Sequence, residues 1–139
     1  MMAGAKRQSS SYDADIRDAE IGQSNRGTIK KGNYNDLPSN AQNAYDGYSN
    51  NGWKGNFNGQ APGTKAGGSY QNSNGLLPTV DSAGNPITYR EFDVNAPVAG
   101  IGRDAQRFVI GSDGSVFFTD SHYGQAASPS GLPPFMQVK

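Results

Sequence analysis

The chain contains no cysteine. That excludes a disulfide framework and any zinc site built on thiolates, so packing and hydrogen bonds alone must hold the fold. It has a single histidine, His122, which makes a histidine-based zinc site improbable as well. No apolar run approaches the roughly 20 residues needed to cross a bilayer, and the start at Met1 and Met2 lacks the apolar core of a signal peptide. The expectation is a protein with no membrane partner, no metal and no other cofactor. Action outside its cell of origin would require a carrier. An excess of charge of one sign is missing too: twelve Lys and Arg balance twelve Asp and Glu. The global signature of a nucleic-acid binder is therefore absent, and any affinity for phosphate must be local.

What is present fits one domain. The 139 residues hold 34% apolar side chains and 19 glycines, which points to a turn-rich α+β or β protein with a long polar segment attached. Residues 1–36 are that polar lead-in, either flexible or docked through a short helix over residues 12–21 bearing Ile16, Ala19 and Ile21. The folded domain is expected over residues 37–139. After Leu37 and Pro38, Ala41, Ala44, Tyr45 and Tyr48 fall at helical spacing. They predict a helix capped by Ser39 or Asn40 and stopped by Gly52, with Trp53 as a packing anchor beyond it.

Residues 54–68 read as a wide loop of Gly, Asn, Gln and Pro carrying Lys54 and Lys65. Its spacing misses the phosphate-cradling pattern of a P-loop, so its functional reading is the wall of a substrate groove. Tyr70, Gln71 and Asn72 form a short strand candidate. Residues 81–86 form a turn that fails the calcium-loop pattern at Ala83. A strand follows over residues 87–95, with Phe92 and Val94 on one face and Tyr89, Glu91 and Asp93 on the other. Residues 106–110 and 115–119, joined by Gly111, Ser112, Asp113 and Gly114, form a hairpin. Alternation along it puts Phe108 and Ile110 opposite Arg107. Residues 133–139 suggest a short edge strand, because Pro133 and Pro134 precede it.

The open face of this sheet would then collect a carboxylate at Glu91, guanidinium groups at Arg103 and Arg107, and the imidazole of His122 beside Tyr123. No serine or cysteine nucleophile completes a triad with the histidine. The set suits general acid and base chemistry on an anionic substrate, with arginines holding a phosphate as charge builds. Metal-free cleavage of RNA fits it, since the ribose 2′-hydroxyl is an internal nucleophile. Read singly, a lone histidine at a strand end is more often a surface or packing residue, and a strand glutamate is usually just solvated. Pattern alone leaves both readings open.

The wording of the chain adds to this. Tyr70-Gln71-Asn72, Leu77-Pro78, Tyr89-Arg90-Glu91-Phe92-Asp93, Gly102-Arg103-Asp104-Ala105-Gln106-Arg107 and Thr119-Asp120-Ser121-His122-Tyr123 resemble, in order and spacing, the microbial ribonucleases related to barnase. Asn51-Gly52-Trp53 and Ala61-Pro62-Gly63 extend the likeness, which covers residues 37–123. The resemblance implies an α+β fold, one or more N-terminal helices on one face of a twisted antiparallel sheet of four to five strands, with RNA on the other face. It implies that Glu91 is the general base and His122 the general acid of a metal-independent endoribonuclease. Arg103 and Arg107 would bind the phosphate, Asn72 would belong to a base-recognition loop with Tyr70 and Gln71, and Tyr123 would border the phosphate or base site.

Two positions depart from that pattern. Ser73 and Asn74 stand where the family has an arginine and a glutamate, which puts guanine preference in doubt, and the predicted helix carries no lysine or arginine, so either Lys65 or Lys54 substitutes from the loop or turnover is slower. Residues 55–68 and 111–124 also look like nuclease modules of bacterial toxins. That likeness implies a monomeric module of a larger protein, secreted or delivered into the cytoplasm of a target bacterium and matched by an immunity protein. The alternatives are a non-catalytic RNA- or protein-binding domain on this fold, or a secreted nutritional ribonuclease.

Overall fold

Alternating apolar residues on adjacent strands leave two greasy faces to cover, and this chain covers them differently. The computed structural model describes residues 29–139; the helix expected over residues 12–21 lies outside them. Six strands form one sheet: β1 (Ile29–Lys31), β2 (Ala66–Tyr70), β3 (Tyr89–Asp93), β4 (Arg107–Gly111), β5 (Val116–Thr119) and β6 (Phe135–Gln137). Their order across the sheet is β1-β6-β5-β4-β3-β2, antiparallel except for β1 against β6. One helix, α1 (Ser39–Asn50), packs on it. The fold is α+β as expected, with six strands rather than four or five.

On one face, Ala41 and Tyr48 of α1 meet Phe92, Val94, Phe108, Ile110, Val116, Phe118 and Met136. Trp53 closes this core as an anchor, its ring centroid 5.2 to 5.7 Å from those of Tyr45, Tyr48, Phe92 and Phe108. Burying each such aromatic stabilises the fold by about 1.5–3 kcal/mol, so this face holds most of the stability. On the other face Leu77, Tyr89, Val109, Phe117, Tyr123 and Phe135 form a second, smaller core, with Tyr70, Leu76, Ile29 and Ile87 at its border. The face expected to be open is therefore half roofed, and the roof leaves a cleft at one end.

Several expectations need correction. The helix cap is Pro38, which supplies no side-chain hydrogen bond; Ser39 is already helical. The Asn40 amide instead donates to Asn95 Oδ1 at 2.9 Å and Gln106 Oε1 at 2.6 Å, because a tertiary network outcompetes the local cap. Residues 66–68, read as loop, begin β2, whereas Gln71 and Asn72 lie beyond its end. Gly67, at φ 90°, is the extra residue of a bulge between the Ala66↔Phe92 and Gly68↔Glu91 pairs, which hid the strand from any count of alternation. The segment read as an edge strand, β6, lies inside the sheet. Its outer neighbour β1, and a 3₁₀ turn at Tyr34–Asp36, come from the segment taken as lead-in.

Candidate active site

The hairpin places the site. β4 and β5 pair Arg107↔Thr119 through Ile110↔Val116, and the Asp113 carboxylate accepts from Ser115 N at 3.1 Å to close the turn. This register sets Phe108 and Ile110 into the helix-side core and turns Arg107 toward the other face, next to β3. There Glu91 and Asp93, two residues apart on β3, point the same way. Arg103 Nη2 donates to Glu91 Oε1 at 2.7 Å and to Asp93 Oδ1 at 2.6 Å. Arg107 reaches the same two carboxylates, Nη1 to Glu91 at 3.5 Å and Nε to Asp93 at 3.2 Å. Two guanidiniums and two carboxylates thus form one cluster. Burial differs across it: Arg103 keeps 32% of its side chain exposed, whereas Arg107 keeps 4% and Asp93 3%. Arg103 is the more accessible of the two guanidiniums.

Asp93 was read only as one residue of a strand face. It accepts from Arg103 and from the backbone N–H of Lys65, at 2.9 Å for the latter, and pairs with Arg107 at 3.2 Å. Its hydrogen bond is the leading reason the Arg103 guanidinium is held charged more firmly than usual. The signal for Asp93 was its i+2 spacing from Glu91. It was missed because a strand carboxylate is ordinarily solvated.

A cleft of about 520 Å³ opens beside the cluster, lined by Glu91, His122 and Tyr123 together with Ser69, Tyr70, Gln71, Ser73, Asn74 and Gln125. Arg107 Nη1 donates to the Tyr123 hydroxyl at 2.9 Å, and the Tyr70 and Tyr123 rings lie 4.5 Å apart between centroids. Burial pushes both phenols upward, Tyr70 to about 12. His122 is partly buried, and its imidazole is held below the ordinary value of 6.5, by desolvation first and then by Arg107 and Arg103. Glu91 and a hydrogen bond with Gln125 act the other way. His122 and Tyr123 have φ of 51° and 62°, a left-handed conformation that non-glycine residues hold only under constraint.

The structure brings Glu91, His122, Tyr70, Gln71 and Tyr123 to this cleft, with Arg103 and Arg107 at the Glu91 carboxylate. Asn72 is placed otherwise. Its amide donates to Leu77 O at 2.9 Å and its side-chain oxygen accepts from Leu77 N at 3.1 Å, so its side chain shapes the loop over residues 72–77. Asn74, one of the two departures from the family wording, donates to Tyr123 O at 3.0 Å and ties that loop to the histidine turn. Lys65 is exposed and does not line the cleft; its contribution to the site is the backbone N–H given to Asp93. Among the described residues no group of three or more His, Asp or Glu is placed to hold a metal ion.

Chemically the site offers a carboxylate oriented by two guanidiniums, an imidazole lining the same cleft, and aromatic faces for bases. A search of curated proteins finds no match. A family model described as ribonuclease matches residues 15–126, most of the chain and every residue of the cleft. The chain therefore belongs to the ribonuclease family, an endoribonuclease whose substrate is RNA.

Proposed function

We propose that this protein cleaves single-stranded RNA by transesterification within the chain being cut. Glu91 takes the proton from the ribose 2′-hydroxyl, whose oxygen then attacks the adjacent phosphorus. The bond from phosphorus to the 5′-oxygen of the next nucleotide breaks, and His122 protonates that oxygen as it leaves. The products are a 2′,3′-cyclic phosphate and a free 5′-hydroxyl, so no metal-activated water is called on. The observation that carries the reading is that Glu91 and His122 line one cleft with two guanidiniums at the carboxylate. Arg103, paired yet partly exposed, exchanges a carboxylate partner for the phosphate, and a guanidinium fork fits the charge growing on its oxygens. Tyr70, Gln71 and Tyr123 flank the bases; Asn72 holds the shape of the recognition loop.

The wider role we propose is that of a toxin module, part of a larger bacterial protein that delivers it into the cytoplasm of a competitor, with an immunity protein that covers the cleft. The wording of residues 55–68 and 111–124 supports it. The decisive experiment incubates the purified chain with RNA in EDTA and maps the fragment ends. Fragments ending in cyclic phosphate that disappear with His122→Ala support the mechanism; intact RNA supports a binding domain without turnover. Growth arrest on expression inside a bacterium, relieved by a co-expressed inhibitor, separates a toxin from a nutritional ribonuclease.

A further inference from the structure

The turn that carries His122 runs through three consecutive residues with positive φ, His122, Tyr123 and Gly124, at 51°, 62° and 89°. Two of these are L residues with large side chains, so the conformation persists only where its surroundings over-determine it. The Ser121 carbonyl accepts from Gly124 N at 3.1 Å and Ala126 N at 2.9 Å, Asn74 and Arg107 hold Tyr123, and two buried hydroxyls hold the start of the turn. Thr119, 1% exposed, accepts at Oγ1 from the backbone N–H of Ser121 at 3.3 Å and of Tyr123 at 3.1 Å. Ser121, 2% exposed, has its Oγ 3.4 Å from that oxygen and accepts from Gly124 N at 3.1 Å. At the histidine itself, His122 N donates to Ala105 O at 3.3 Å and the His122 carbonyl accepts from Gln125 N at 3.1 Å.

Thr119 also sits at a junction. It is the strand partner of Arg107, whose Nη1 holds the Tyr123 hydroxyl. One residue therefore joins the two, pairing through its backbone with the strand that supplies the buried guanidinium and through its hydroxyl with the turn that supplies the imidazole. We infer that Thr119 is a positioning residue for RNA cleavage: by closing the turn over residues 119–124, its hydroxyl holds the imidazole of His122 in the cleft opposite Glu91. This rests on the acid role proposed above for His122. Valine at 119 would fill the same space with no acceptor, leaving the N–H groups of Ser121 and Tyr123 unpaired. The turn would then relax toward negative φ and carry the ring away from the cleft.

Because His122 is the only histidine in the chain, its titration can be followed by NMR without assignment ambiguity. The groups that act on its ring are Arg107 and Arg103, Glu91, and Gln125. The test compares wild type, Thr119→Val, Thr119→Ser and His122→Ala as full chains, for steady-state cleavage of a short RNA and, where the imidazole is present, for its titration. Displacement of about 1 Å at a reacting group can cost roughly 10²-fold. Thr119→Val should therefore lose kcat by about that factor with KM little changed, and its imidazole should titrate closer to the ordinary value of 6.5. Thr119→Ser should stay near wild type in both. Should Thr119→Val not fold, Thr119→Ala takes its place with the same expectation. A folded hydroxyl-free variant with wild-type kcat and titration overturns the inference, as does Thr119→Ser behaving like Thr119→Val. An active His122→Ala chain would instead sink the acid role itself, while the titration still reports whether Thr119 holds the ring.

Discussion

A general acid works only while it carries its proton, so under the proposed acid role the environment of His122 sets where the enzyme can run. Desolvation and the two arginines disfavour the imidazolium in the free protein, placing its titration below 6.5. The protonated fraction then falls as pH rises through that lowered value. The alkaline limb of kcat/KM, which reports the free enzyme, should lie below 6.5. A bound phosphate adds negative charge and occupies Arg103, both of which favour the cation, so the limb of kcat itself should lie higher. Steady-state rates across the acid and neutral range test the order; a kcat/KM limb above that of kcat contradicts it. His122→Ala should cost roughly 10²–10⁴-fold in kcat, the usual worth of a positioned proton donor. Asp93 makes a different prediction. It is 2% exposed and holds Arg107 and Arg103 together, so Asp93→Ala strands a buried guanidinium and should lower unfolding free energy by about 3–5 kcal/mol in urea titrations. A loss under 1 kcal/mol would mean that Glu91 alone suffices as counter-charge.

At the scale of elements, Gly47 exposes how α1 is seated. A Cβ there would lie 2.1 Å from Phe57 Cζ, far inside contact distance, so the ring of Phe57 packs directly against helix backbone. Alanine would gain about 0.8–1.0 kcal/mol in helix propensity and lose about 1–3 kcal/mol to overpacking. Gly47→Ala should therefore be net destabilising, read as a lower denaturation midpoint, and Phe57→Ala in the same chain should remove the clash. The elements legible in the sequence were those whose side chains alternate or recur cleanly. Residues 87–95 read as a strand from apolar alternation and residues 106–110 and 115–119 from β-branched and aromatic runs around a turn, while Ala41, Ala44, Tyr45 and Tyr48 marked the helix face; they form Tyr89–Asp93, Arg107–Gly111, Val116–Thr119 and Ser39–Asn50. β2 was hidden because Gly67 and Gly68 carry no side chain to alternate and a bulge breaks the count. The interior place of β6 was hidden because its outer neighbour β1 is three residues long and mostly charged. Glu91 and His122 could be named from residue types and family wording. Asn74 could not, since it acts on Tyr123, 49 residues away; Asp93 left only its spacing from Glu91, and Thr119 a local turn contact that residue type does not single out.

For the whole molecule, balanced charge decides how RNA arrives. With twelve basic and twelve acidic residues there is no global field to draw a polyanion in, and even the site is internally neutral, two guanidiniums facing two carboxylates. Association then depends on the few cations a phosphate can touch. For single-stranded nucleic acid the slope of log K against log salt is about −0.7 for each phosphate neutralised. If Arg103 and Arg107 supply the contacts, the slope for kcat/KM on RNA should be near −1.4 by that rule. A basic nuclease that tracks the backbone over many phosphates would be several-fold steeper. Arg103→Gln should reduce the slope by about one contact's worth, while Lys65→Gln, exposed and outside the cleft, should leave it nearly unchanged. Rates measured across a salt series decide the matter. A steep slope that survives Arg103→Gln but flattens with Lys54 or Lys65 replaced would move the RNA path from the sheet face onto the loop over residues 54–65.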